Sequence, residues 1–502
     1  MVMSSPLLTA RQLGIDTLSE AVVFMRKDCS VCRSEGFTAH NRILLSAGDR
    51  HVIATLYQVS SDIIGQHEAG LSDSAFSLLG IADGDRITVK HPDPLESLSH
   101  IRSRIYGKPL DENSMQAVVR DISDGKYSDI HISAFVTACA TRELDQNEQL
   151  LLTRAMVDVG ERLSWATPIV VDKHSVGGLP GNRTTPIVVS IVTALGLIMP
   201  KTSSRAITSP AGTADTMETM APVNLDIGAI RRVVAQEGGC IAWGGAIRLS
   251  PADDILIRIE RALDLDTEGQ MVASVLSKKI AAGATHLVLD MPVGPTAKVR
   301  TMEAADRLAG RLQSVATEFG IKSRVILGDG SQPIGRGIGP ALEARDLLAV
   351  LQCRPNAPAD LRGRAVVLAG ALLELAGAVP THAGESLAIQ VLDDGRAWAK
   401  FQRICEAQGG MRGPTVAAFR HPLLAKRPAT LAGIDNRKLA KLAKLAGAPE
   451  AKAAGLDLHV KLGEAVVEGQ PLCTLHADAS GELAYALGYA AANDDIFLWS
   501  EG

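Results

Sequence analysis

From about Thr167 onward the chain alternates short β-branched runs with apolar stretches of helical length, and the runs stop at polar, often glycine-bearing turns. That rhythm constrains the fold more than any other feature. Strands alternating with helices imply a largely parallel sheet, and such sheets bind ligands beyond the carboxyl ends of their strands. Pro168–Val171 is the first run and stops at Asp172. Leu195–Pro200 leads into the polar turn Lys201–Ser209, His286–Leu289 is followed by Met291–Ala297, and Ser323–Leu327 ends at Gly328-Asp329-Gly330. The longest apolar stretch, Pro186–Pro200, carries Ser190 and Thr193. It is shorter than the roughly 18 residues of a membrane span, which predicts a buried helix.

The flanking segments follow other rhythms. Residues 1–92 read as a β-rich extension with strands at Val22–Met25, His51–Tyr57 and Asp85–Val89, and a turn at Leu79–Asp85. Pro92, Pro94 and Leu95 mark a linker. Residues 96–164 are helical, with apolar spacing over Ser114–Ser123 and Ile130–Ala140 and a break at Gly125. Asp145 followed by Glu148 is a capping box that opens the next helix. Residues 433–502 hold short runs at Leu456–Val460, Ala465–Val467 and Pro471–Leu475 between glycines, which predicts a small, mostly β domain. The expectation is an α/β multidomain chain.

Composition excludes several functions. At 502 residues the chain has room for roughly three domains of about 150 residues. Aromatic residues are only 3%, so the cores rest on Ala, Val, Ile and Leu, and base-stacking platforms for single-stranded nucleic acid are disfavoured. The net charge is -5, and the densest basic cluster, Lys438, Lys441 and Lys444, is spaced as one solvated helix face. Neither suits a duplex-binding protein. Met1–Gly14 lacks the cationic and apolar regions of a signal peptide, and seven scattered cysteines suit a reducing cytoplasm. Cys29-Ser30-Val31-Cys32 has no second pair, and His40 and His51 are distant in sequence. Two ordinary thiols at a turn are therefore expected, with no metal.

Two segments carry the chemistry. In Val170–Pro186 a strand is followed by Lys173, Ser175, the adjacent Gly177 and Gly178, then Thr184 and Thr185 before an apolar helix. Glycines let the backbone approach a ligand, a helix N-terminus adds partial positive charge, and lysine and hydroxyls donate. An anion cradle and a structural turn both fit this pattern; the nucleoside-triphosphate P-loop does not, because its GxxxxGK[ST] spacing is absent. The second segment, Lys201–Glu218, is dense in hydroxyls and contains Arg205, which can grip two phosphate oxygens. A Ser/Thr-rich N-cap is the plainer reading of it alone.

Asp172-Lys173-His174-Ser175-x-Gly177-Gly178, followed by Ser203-x-Arg205 and Gly212-Thr213-x-Asp215 with Glu218, resembles the thymidine and pyrimidine-nucleoside phosphorylase family over roughly residues 100–502. The N-terminal extension and the wording of the second motif are more similar to its long (type 2) branch, which includes archaeal AMP phosphorylases. The resemblance implies a helical, base-binding domain (96–164 plus about 240–282), an α/β phosphate domain (165–239 plus about 283–430) and a C-terminal α+β domain, with the first two closing over a cleft. It also implies a homodimer or higher homo-oligomer, inorganic phosphate as co-substrate and no cofactor. By position, Lys173, Ser175, Ser203 and Thr213 match phosphate ligands, with Thr184 or Thr185 as another. Thr185 is preferred because this loop carries one extra residue. His174 matches a catalytic histidine near the sugar.

The resemblance also assigns the rest of the substrate. Ser274 and Lys278, four residues apart on a helix, match base ligands, and Lys298 is a further candidate. Asp266 matches the proton donor to the leaving base in the AMP phosphorylase branch. Gly178 and the run Ser204, Arg205, Ala206, Ile207, Thr208 and Ser209 complete the substrate contacts. Thymidine phosphorolysis to free base and 2-deoxyribose 1-phosphate is the first expectation. Phosphorolysis of a nucleoside monophosphate is the alternative, favoured by the anion donors of the second segment. A regulator without catalysis is a distant third. An anthranilate-type phosphoribosyltransferase would want paired acidic residues by the second loop. Asp215 and Glu218 are there, but the first motif fits a phosphorylase better.

Overall fold

The computed structural model describes residues 7–18, 20–206, 209–265 and 267–500. It divides into two compact units, Met1–Arg142 with Ile255–Leu263, and Glu143–Asp254 with Asp264–Gly502.

In the first unit, the six strands Leu7–Gln12, Val22–Arg26, Arg42–Ala47, Arg50–Val59, Glu68–Leu71 and Arg86–Lys90 close into a barrel. The order around it is first, fifth, second, fourth, third, sixth. Alternate residues such as Ile43 and Leu45, or Ile87 and Val89, point inward, as the two-residue period of a strand requires. Closure leaves no unpaired edge. Leu7–Gln12, Arg42–Ala47 and Glu68–Leu71 are additional to the strands expected from the sequence. Cys29 caps the short helix Ser30–Ser34, which holds Cys32, directly after the turn at residues 27–28. Both are buried in the barrel core, and the Cys29 Sγ accepts the Cys32 N–H at 3.3 Å. All seven cysteines are free thiols. Beyond the barrel, the helix Glu112–Ser123 is capped by Asp111 and buries Met115, Val118, Val119 and Ile122, one apolar stripe.

In the second unit, the helix Gln146–Asp158 opens with the expected Asp145–Glu148 capping box. The strand His286–Val293 lies between Val171–Ser175 and Lys322–Asp329, parallel to both. Met199–Ser203 pairs in parallel with Gly239–Trp243, and a parallel bridge joins Val170 to Ile198. Between them the helix Thr185–Ala194 buries every residue from Thr185 to Thr193 in an aliphatic core.

Three sequence expectations shift. The first strand does not stop before the motif but runs through Asp172, Lys173 and His174 to Ser175. The apolar stretch splits into a helix ending at Ala194 and a strand starting at Met199. Lys201 to Ser203 belong to that strand, not to a turn. Charged residues are poor strand formers by propensity, and here ion pairing overrides that preference.

The chain ends in two antiparallel sheets. Gly337–Ile338, Gly455–Leu458, Pro471–Ala477 and Phe419–Leu424 form one; Ala465–Val466, Ala429–Ile434 and Phe497–Ser500 form the other. The helices Asn436–Leu445 and Ser480–Ala492 cover a shared aliphatic core. Lys438 pairs with Asp495, and Lys441 lies over the Tyr489 ring, so the basic stripe is partly engaged. Among the described residues no helix is long and apolar enough to cross a membrane.

Candidate active site

The described candidate residues all lie in the second unit, many in or just beyond the carboxyl ends of parallel strands. Asp266, Ile207 and Thr208 lie outside the described residues.

The strand Val171–Ser175 sends its side chains alternately to two faces. On one face is Asp172, paired with Lys279 at 2.9 Å and Lys201 at 3.3 Å. Burial pushes Asp172 up, but the two ammonium groups outweigh it and hold the carboxyl below its ordinary range. Lys201 is driven well below the usual lysine range, first by burial and then by Lys279, despite the attraction of Asp172. His174 shares that face. Burial, reinforced by Lys279, Lys201, Lys173 and Lys278, holds its imidazole well below the usual value, so it is neutral near pH 7.

On the other face Lys173 is fully buried, 3.3 Å from Asp290, and donates to Thr184 Oγ1 at 2.9 Å. Burial lowers its pKa, and Asp290 opposes the shift. Asp290 also accepts from Arg364 Nε at 2.9 Å and Asn182 Nδ2 at 3.0 Å. Four basic side chains, Lys173, Lys201, Lys279 and Arg364, thus face two carboxylates, Asp172 and Asp290.

The hydroxyls of the two motifs are oriented. Ser175 Oγ accepts from Asn182 at 3.3 Å, Thr184 Oγ1 from Lys173, and Thr213 Oγ1 from Arg183 at 3.0 Å. A hydroxyl that accepts in this way keeps its own proton to give elsewhere. Ser203 Oγ is buried with no hydrogen-bond partner among the described residues. An unpaired buried hydroxyl costs free energy unless a ligand satisfies it. Thr184 touches the buried ammonium group, Ser175 is linked to it through Asn182 and Asp290, Thr213 is held by Arg183, and such oriented donors suit an anion. Thr185 is the first residue of the helix Thr185–Ala194, and Thr184, just before it, is the one bonded to Lys173. Among the described residues no group of side chains is arranged to hold a metal ion.

The second segment is more committed than its composition suggests. Arg205 donates from both terminal nitrogens to Glu218 at 2.7 Å, reaches Asp215 at 3.2 Å and lies 4.8 Å over the Trp243 ring. The Ala206 N–H is taken by Asp215 at 2.7 Å, and the Ser209 hydroxyl donates to the Ala211 carbonyl at 2.8 Å. Lys452 adds a further cation to Asp215 and Glu218. Ser204 is exposed. Ser274 and Lys278 are half-buried on the helix Glu268–Ala281, with Lys278 paired to the buried Asp253. Gly178 has φ +82°, and a Cβ there would fall 2.4 Å from the Lys298 nitrogen, so the first loop packs against Lys298.

Sequence reasoning singled out Lys173 and the hydroxyls but not Asn182, Arg183, Lys279, Asp290, Glu343 or Arg364. One signal was available. Asp290 interrupts the apolar run His286–Val293, and a carboxylate in a buried strand requires a partner.

Comparison with known proteins gives matches along most of the chain. A model of the glycosyl transferase family helical bundle domain matches residues 98–160, and one of the glycosyl transferase family a/b domain matches residues 167–398. The pyrimidine nucleoside phosphorylase C-terminal domain matches residues 430–496. A Sphingopyxis alaskensis protein named "Putative thymidine phosphorylase" is 62% identical over 98% of this chain and 96% of its own. A relative of the same name from Polaromonas sp. is 60% identical over 97% of this chain and 95% of its own. Among solved structures, anthranilate phosphoribosyltransferase from Thermus thermophilus matches with a TM-score of 0.50 at 21% identity, over 62% of this chain and 99% of that one. The Saccharomyces cerevisiae enzyme matches at 0.51 and 14% identity, over 62% and 97%. At such identity the likeness is one of fold.

Proposed function

The chain belongs to the thymidine and pyrimidine-nucleoside phosphorylase family of pentosyltransferases, and from that premise we propose that it cleaves pyrimidine nucleosides with inorganic phosphate. A phosphate oxygen attacks the anomeric carbon, the bond to the base nitrogen breaks, and the base leaves with the electron pair and takes up a proton. Thymidine would give thymine and 2-deoxyribose 1-phosphate.

The observation that carries this reading is the oriented donors of the two motifs: buried Lys173 bonded to Thr184, Ser175, Thr184 and Thr213 held as acceptors so that their own protons are left to give, and Ser203 without a partner among the described residues. In this reading Lys173, Ser175, Ser203, Thr213 and Thr184 or Thr185 hold phosphate. Holding the reactants in line supplies several kcal/mol of the barrier. Ser274, Lys278 and Lys298 face the base, and Asp266 gives the proton. A well-placed donor to developing charge contributes on the order of 100- to 1000-fold. His174, neutral, donates or accepts a hydrogen bond near the sugar. The protein supplies the charge this chemistry needs, so no metal or organic cofactor is proposed.

A nucleoside is preferred to a nucleoside monophosphate because Arg205, the Ala206 N–H and the Ser209 hydroxyl already have intramolecular partners. The test is to incubate purified protein with phosphate and thymidine, uridine, AMP, CMP or UMP and to measure free base. Phosphate-dependent release from the nucleosides is expected. Release only from monophosphates would overturn the substrate, and release from none would overturn the activity.

A further inference from the structure

Arg183 lies inside the first loop, yet its contacts lie on other elements. Its Nε donates to Glu343 Oε2 at 2.5 Å, Nη1 to Thr213 Oγ1 at 3.0 Å and Nη2 to the Ala211 carbonyl at 2.8 Å. Glu343 is 1% exposed on the helix Pro340–Leu351. Its carboxylate also accepts from Thr216 Oγ1 at 3.2 Å and the Gly339 N–H at 3.3 Å. One planar guanidinium therefore ties three elements together: the first loop, the turn into the helix Thr213–Glu218, and the helix Pro340–Leu351.

The contact with Thr213 has a directional consequence. A threonine hydroxyl has one proton and two lone pairs. With a lone pair facing Arg183 Nη1, the proton is free to point at an anion. Without Arg183, the hydroxyl could rotate and spend that proton on a carbonyl or on water. The Ala211 contact fixes the turn that carries Thr213, and Glu343 fixes the guanidinium itself.

We propose that Arg183 is a positioning residue for phosphate, acting through Thr213 and held in place by Glu343. Arg183 does not itself touch the anion. The proposal rests on the phosphate reading of the site given above. Lysine would not replace it, because a single ammonium group cannot reproduce three directed bonds in one plane.

The test is a mutant cycle on the full-length enzyme. Arg183→Gln is expected to raise the phosphate KM about tenfold, the size of one lost hydrogen bond to a charged group, while the thymidine KM stays within about twofold. Arg183→Lys is expected to recover little of that loss. Thr213→Val should raise the phosphate KM as well, and Arg183→Gln with Thr213→Val should be no worse than Thr213→Val alone. Additive effects in the double variant, or an unchanged phosphate KM in a folded Arg183→Gln, would overturn the proposal. If Arg183→Gln does not fold, Arg183→Lys takes its place in the cycle with the same criteria. Calorimetric titration with inorganic phosphate separates the two levels. No binding by the unmodified protein overturns the phosphate reading and the proposal with it. Binding that Arg183→Lys and Arg183→Gln leave unchanged overturns the positioning role alone.

Discussion

His174 shows how a single side chain can be given its protonation state by its neighbours. Burial and four nearby lysines favour the neutral imidazole in the folded protein. In the unfolded chain the same group titrates near its ordinary value of about 6.5. The unfolded state therefore binds more protons as the pH falls below about 6.5, and this group makes the fold lose stability in that direction; above that pH it contributes nothing. Replacing His174 with Gln should flatten the dependence. Urea midpoints at about pH 7.5 and about pH 5 test this: the native protein should lose more between the two than His174→Gln does, and equal losses would rule the argument out. Residues of this kind were partly legible. Lys173, His174 and the hydroxyls stood out because polar residues clustered beside glycines. Lys279, Asp290 and Arg364 did not, because their partners lie far away in sequence: parallel strand pairing brings Asp290 beside Lys173, and helix packing brings Lys279 to Asp172 and Arg364 to Asp290.

At the scale of elements, the first loop uses two adjacent glycines for different reasons. Gly177 has φ +94° with open space where a Cβ would go, whereas Gly178 has φ +82° and the Lys298 backbone in the way. Gly177→Ala should cost only conformational strain of about 1–2 kcal/mol, with phosphorolysis largely kept. Gly178→Ala should in addition displace the loop from Lys298 and cut kcat/KM for thymidine at least tenfold more than Gly177→Ala. Equal effects of the two substitutions would show that the close approach does not matter. The existence of these elements was legible from the alternation of apolar runs and glycine-bearing turns; their boundaries were not. Strand Val171–Ser175 extends through three charged or titratable residues that β-propensity would exclude, and the bonds that permit this are tertiary. The strand Met199–Ser203 straddles two expected elements: an apolar run shows no period that separates a buried helix from a buried strand, which hides Met199 and Pro200, and Lys201 to Ser203 read as a polar turn.

At the scale of the whole molecule, the N-terminal barrel has a core that, among the described residues, is made of residues between Leu8 and Val89, and its strands close into a ring. Residues 1–92 expressed alone are therefore expected to unfold cooperatively on heating, as followed by circular dichroism; a featureless melt would count against independence. The α/β multidomain class followed from changes of rhythm along the sequence. Barrel closure did not, because it depends on the non-sequential pairing of Leu7–Gln12 with Glu68–Leu71, which no local pattern in the sequence announces. Elsewhere in the molecule, Trp243 ends its strand beneath the guanidinium of Arg205, and the chain has only four tryptophans. Indole emission is sensitive to a cation over its ring, so a ligand that draws Arg205 away from Glu218 changes the fluorescence of one tryptophan against a background of three. The protein carries its own optical reporter of the second loop, readable in a cuvette without any label.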